Sequence, residues 1–105
     1  MKRVHALSAL LLASAALSGP VLASEALAQK AGCMACHAKD KKLVGPAYKD
    51  VAAKYAGQAD AVATLSAKVR SGGKGVWGPI PMPPNDVAKI NDADLKSVVE
   101  WLLKG

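Results

Sequence analysis

Two thiols three residues apart, with an imidazole directly after the second, constrain this chain more than any other stretch: Cys33-Met34-Ala35-Cys36-His37. On one helical turn positions 33, 36 and 37 share a face, so both sulfurs can reach one flat group while the imidazole nitrogen points at its centre. This is the attachment pattern of c-type haem, whose vinyl groups take the sulfurs and whose iron takes the histidine. A disulfide between Cys33 and Cys36 would close only a very small loop and stabilise little. A structural zinc site needs four ligands, and two cysteines with one adjacent histidine leave it short, with no second Cys/His cluster to complete it.

The first residues carry an address. Lys2 and Arg3 precede an apolar stretch from Val4 through Leu17, and Val21-Leu22-Ala23 forms a small-residue cleavage pattern, as in a secretory signal peptide. The stretch is interrupted by His5, Ser8 and Ser14 and ends at Gly19-Pro20, short of the ~20 apolar residues of a membrane span. Cleavage after Ala23 divides the chain into a signal over 1–23 and one domain over 24–105, 82 residues long. An exported bacterial chain of this kind is expected in the periplasm. Removing Lys2 and Arg3 from the 14 basic residues leaves 12 against 8 acids, a formal charge of +4. His37 is then the only histidine, and Met34 and Met82 are the only methionines. With no Phe, and only Tyr48, Tyr55, Trp77 and Trp101 as aromatics, the polypeptide has few large groups for a core. A domain this small has little margin from its core alone, and a buried porphyrin would supply the missing apolar bulk.

Along the chain, Glu25–Ala31 is made of good helix formers with Ser24 as a cap, leading straight into the haem motif. Gly32 is read as a bare spot over which the last helix crosses, packing Trp101 against it. Polar Lys39–Lys42 breaks the helix, and Leu43-Val44-Gly45-Pro46 follows as a loop. Pro46 has two readings: its carbonyl accepts from the distal nitrogen of His37, or it is the first residue of a second helix running to Tyr55. Asp60 is a possible cap for a third helix, with Val62, Leu65 and Val69 on its apolar side and Gly72-Gly73 at its end. From Lys74 to Asn85, prolines at 79, 81, 83 and 84 exclude helix and sheet interior. Met82 is caged among them, and it is the mature thioether free to reach an iron opposite His37, since Met34 lies between the anchored cysteines. Asn91 then caps the clearest amphipathic helix, with acids at 92 and 94 and apolar Leu95, Val98, Val99 and Leu102.

With these pieces assembled, the chain resembles the class I cytochromes c, and within them the short bacterial cytochrome c-551 group. The likeness rests on Gly32–His37, on Val44-Gly45-Pro46-Ala47-Tyr48 and on Gly75–Asn85, and it covers nearly all of the mature sequence. It implies an all-α fold of about four helices around one covalent haem c, anchored by Cys33 and Cys36 with His37 and Met82 as axial ligands. It further implies the Pro46 carbonyl on His37, the Trp77 indole N–H on a haem propionate, and the Asn85 amide near the Met82 sulfur. Lys68 stands where relatives often carry an arginine near a propionate, so that contact is expected to be looser. The connector Val87-Ala88-Lys89-Ile90 looks a few residues longer than in such relatives.

An iron with both axial positions filled by protein is open to one-electron exchange and not to substrate, so an electron carrier is expected and an enzyme is not. A peroxidase would need a displaceable ligand and catalytic polar groups, and a five-coordinate four-helix cytochrome would carry its motif near the C-terminus. Dispersed lysines without an aromatic platform argue against nucleic acid. Expected partners are membrane quinol-oxidising complexes as donors and a terminal reductase as acceptor. The resemblance points to a nitrite reductase, with an oxidase or a cytochrome c peroxidase as alternatives, and to a monomer without a membrane span.

Overall fold

The computed structural model describes residues 20–105, and over them the backbone forms α1 (Pro20–Lys30), α2 (Tyr48–Tyr55), α3 (Ala61–Ser71) and α4 (Asp92–Leu103). The expected all-α fold is therefore present, with no strand among the described residues. The targeting segment expected over 1–23 lies outside the described residues as far as position 19. None of the described helices is long and apolar enough to cross a membrane.

α4 is the element the other three pack on. Its sequence explains why. Asn91 accepts the Asp94 N–H through its side chain at 2.8 Å and donates back to the Asp94 carboxylate at 3.1 Å, a reciprocal cap at the positive end of the helix. Leu95, Val98 and Val99 are buried along the apolar side, as the spacing predicts, with Trp101 buried beside them and Leu102 only partly so. Ala28 and Ala31 of the first segment, Tyr48, Val51 and Tyr55 of α2, and Leu65 of α3 close the core around them.

Four local expectations are corrected. The described part of α1 already runs from Pro20, so Ser24 lies inside the helix and is buried instead of capping it. The helix does not run straight into the haem motif. It stops at Lys30, and Gly32 adopts the left-handed conformation at φ 82°, which redirects the chain into a short 3-10 turn over Cys33–Ala35. Gly32 is needed for that torsion and not for a close crossing, since a Cβ there would meet only the Lys89 side chain at 3.9 Å. Trp101 instead packs edge-on against Tyr48, with ring centroids 5.7 Å apart. Asp60 occupies the N-cap position of α3, yet its side chain makes no capping bond.

Candidate functional site

The site grows from the turn over Cys33–His37. Cys36 and His37 both donate their amides to the Cys33 carbonyl, at 3.2 and 3.0 Å, which winds the motif into the single helical turn its spacing asks for. Both cysteines are half-buried, and no disulfide joins them. Burial pushes the Cys33 thiol up, with the Tyr48 hydroxyl pulling it partly back. Tyr48 is itself held well above its usual range by burial and by Cys33, so its hydroxyl stays neutral.

After His37 the chain loops out and returns. Gly45 donates its amide to the Cys36 carbonyl at 2.7 Å, and Tyr48 and Lys49 donate theirs to Ala38 and Lys39 at 2.9 and 3.0 Å. Those last two bonds satisfy open donors at the start of α2 and pin that helix to the residues following the motif. The return sets Gly45 under the imidazole: a Cβ there would stand 2.5 Å from His37 Cε1 and 2.9 Å from Nδ1. It also sets the Pro46 carbonyl 2.8 Å from His37 Nδ1. Of the two readings of Pro46, the carbonyl acceptor is the one realised, because α2 starts at Tyr48 with Ala47 as its N-cap. A carbonyl can only accept, so Nδ1 donates in this bond and Nε2 is the ring nitrogen left over for a metal. Tyr48 stacks on the other part of the ring, with centroids 5.0 Å apart and planes 18° apart.

Met82 is held by a separate framework. Its amide donates to the Gly73 carbonyl at 2.8 Å, and Gly73 donates to the Met82 carbonyl at 3.1 Å, so the proline-rich segment is paired to the end of α3. Gly72, at φ 69°, passes so close beneath that a Cβ would run into the Met82 carbonyl and the backbone of Pro83 and Pro84. Asn85 is buried and donates from Nδ2 to the carbonyls of Val69 and Pro83, at 3.3 and 3.1 Å. These bonds hold the Asn85 side chain at the C-terminal end of the Met82 segment, between that segment and α3.

Trp77 lies in the same segment, exposed, with the Lys54 ammonium over its ring at 5.6 Å. Lys68 is exposed on the last turn of α3. Sequence reasoning passed over Arg70, two residues on, which donates to the carbonyls of Asn85 and Ile90 and to the Asp92 carboxylate. It is the only arginine besides Arg3, the one signal that could have singled it out.

These residues fit a haem. The donor set pairs two thiols with a histidine whose tautomer is already fixed for metal binding, and a thioether stands on an independently braced loop. Leu43, Val44, Val76, Trp77 and Ile80 are exposed apolar side chains of the two loops concerned, matching the apolar character of a porphyrin.

Comparison with known proteins agrees. The family described as Cytochrome c matches residues 21–105. The chain is 52% identical over 94 residues to cytochrome c-552 of Hydrogenobacter thermophilus, covering 90% of this chain and 93% of that protein. It is 56% identical over 82 residues to cytochrome c-551 of Allochromatium vinosum, covering 78% and 85% respectively. The crystal structure of wild-type cytochrome c552 from Nitrosomonas europaea superposes with a TM-score of 0.71 at 50% identity, covering 76% of this chain and 96% of that one. The braced histidine, the paired thiols and these likenesses together make the chain a member of the cytochrome c family, a small class I c-type cytochrome with one covalently bound haem c.

Proposed function

We propose that residues 24–105, released by cleavage after Ala23, act in the bacterial periplasm as a one-electron carrier with His37 and Met82 as axial ligands and Cys33 and Cys36 as thioether anchors. The observation that carries this reading is the 2.8 Å bond from His37 Nδ1 to the Pro46 carbonyl. It engages Nδ1, keeps Nε2 as the ring nitrogen for the iron and makes it a stronger donor, and the ring cannot swing because Gly45 and Tyr48 pack against it. The bound haem supplies reversible exchange between ferric and ferrous iron. The chain does the rest. Met82, a neutral soft donor, favours the ferrous form and raises the potential relative to a second imidazole. Protein donors on both faces leave no position for substrate, so the role is carriage and not catalysis. Trp77 is assigned to a propionate through its indole N–H, and Lys68 supplies the looser positive charge nearby. Donors are membrane quinol-oxidising complexes, and the acceptor is a terminal reductase, with nitrite reductase favoured by the c-551 likeness.

Two measurements test this. Intact mass after acid-acetone extraction should give a chain beginning at Ser24 with haem retained; loss of the haem would refute thioether attachment, and a retained leader would refute the cleavage. Met82→Ala should abolish the near-infrared sulfur-to-iron band of the ferric protein, lower the potential and admit cyanide readily. A band that survives the substitution would rule Met82 out.

A further inference from the structure

The segment carrying Met82 leaves α3 at Gly72 and comes back to it at Asn85, where the Asn85 amide donates to the Val69 carbonyl at 3.1 Å. Between those two residues stand Pro83 and Pro84, which have no amide to offer. The anchoring on the C-terminal side of Met82 therefore falls on Asn85 and on whatever holds Asn85.

Arg70 holds it. One guanidinium nitrogen, Nη1, donates to the Asn85 carbonyl at 3.3 Å and to the Ile90 carbonyl at 2.6 Å, while Nη2 donates to Asp92 Oδ1 at 2.6 Å. These three acceptors are the end of the methionine segment, the end of the connector and the first residue of α4. The guanidinium is mostly covered, its side chain 23% exposed against 88% for Asp92. An ion pair so open on its acidic side contributes little by itself, so the weight of the arrangement lies in the two covered carbonyl bonds. Three acceptors in a fan suit a rigid planar fork, and a lysine ammonium on a flexible stem cannot reproduce it. Lys68 and Arg70 stand about 200° apart around the helix, so the exposed lysine cannot take over this contact.

We propose that Arg70 is a positioning residue for the Met82 ligand, limiting how readily the thioether leaves the iron by clamping the carbonyl of Asn85 to α4. The proposal rests on the reading of Met82 as ligand. Departure of the methionine is a local opening of the loop, whose frequency depends on the bonds at its ends.

The test uses the ferric holoprotein. Cyanide association, which waits on methionine departure, is measured with the near-infrared band, with hydrogen exchange at the Met82 and Gly73 amides, and with the global unfolding midpoint. Arg70→Ala should speed cyanide association and exchange at both amides by roughly tenfold, the size of change that follows loss of a charge-assisted bond. Arg70→Lys should fall between it and the wild type, and Asp92→Asn, which keeps an acceptor oxygen, should change the rates by less than about threefold. A lower unfolding midpoint in Arg70→Ala with cyanide and exchange rates equal to wild type would overturn the proposal, leaving Arg70 a structural clamp alone. Should Arg70→Ala fail to fold, wild-type rates in Arg70→Lys would overturn it equally. A near-infrared band that persists in Met82→Ala would overturn the ligand reading, whereas amide exchange in the Arg70 variants reports on the clamp independently of what binds the iron.

Discussion

At the scale of single residues, a missing side chain does as much as those present. Gly45 has ordinary torsions, so a larger residue is excluded by space alone: its Cβ would press on three atoms of the His37 ring at 2.5 to 3.0 Å. The ring has nowhere to retreat, because Tyr48 stacks on it and the Pro46 carbonyl holds Nδ1. Gly45→Ala should therefore push the imidazole off its bond to Pro46, destabilising the ferric protein by about 1–3 kcal/mol, as overpacking does. Guanidinium unfolding gives the energy, and the paramagnetically shifted His37 ring resonances report the displacement. Unshifted ring resonances in the variant would mean that the loop and not the ring had yielded.

At the scale of elements, two N-terminal caps that look alike in sequence separate. Asn91 makes its capping bond at 2.8 Å, while Asp60 sits at the corresponding position of α3 without one. Asn91→Ala should lower stability by about 1 kcal/mol, whereas Asp60→Ala should cost a few tenths at most. Unfolding midpoints of the two variants measured side by side check this, and equal losses would refute it. The first helix depends on its neighbours in another way. Cleavage after Ala23 would leave Ser24–Lys30 as its helical part, seven residues, too short to persist alone in water. Leu27, Ala28 and Ala31 supply what propensity lacks by packing on the common core.

At the scale of the molecule, the proposed shuttle role needs a face on which partners can land and leave. The exposed apolar residues Leu43 and Val44 belong to the loop that follows His37, Trp77 and Ile80 belong to the segment that carries Met82, and Lys30, Lys39, Lys41 and Lys42 flank the haem motif in sequence. Val87, also exposed, instead lines a pocket with Leu27 and Lys30 of α1. The charge of +4 that the proposed cleavage would leave assists encounter without dominating it, so apolar contact should hold the short-lived complex. Electron transfer to the acceptor should slow strongly for Ile80→Glu at any salt concentration. The pair Lys41→Glu and Lys42→Glu should slow it at low salt, with the difference closing as salt rises. Rates unchanged in both variants at low salt would move the docking face elsewhere.

Haem chemistry and local geometry were legible in residue spacing, inventory and periodicity. Spacing within the motif identified the haem anchors and the histidine, the inventory left Met82 as the free thioether, and the period of apolar residues located α4 with its Asn91 cap. Each of these depends on neighbours a few residues away, where torsion, helical repeat and capping act. Contacts between distant parts of the chain were not legible in this way. Pro46 meets His37 across nine residues, and Arg70 meets Asn85, Ile90 and Asp92 across 15, 20 and 22. The same long reach turned Trp101 toward Tyr48 instead of Gly32, and brought the Asn85 side chain to the Val69 carbonyl 16 residues away. A hydrogen-bonding group satisfies itself with whichever partner the folded backbone brings near. No residue pattern records that choice, because many acceptors along the chain are chemically equal until packing selects one.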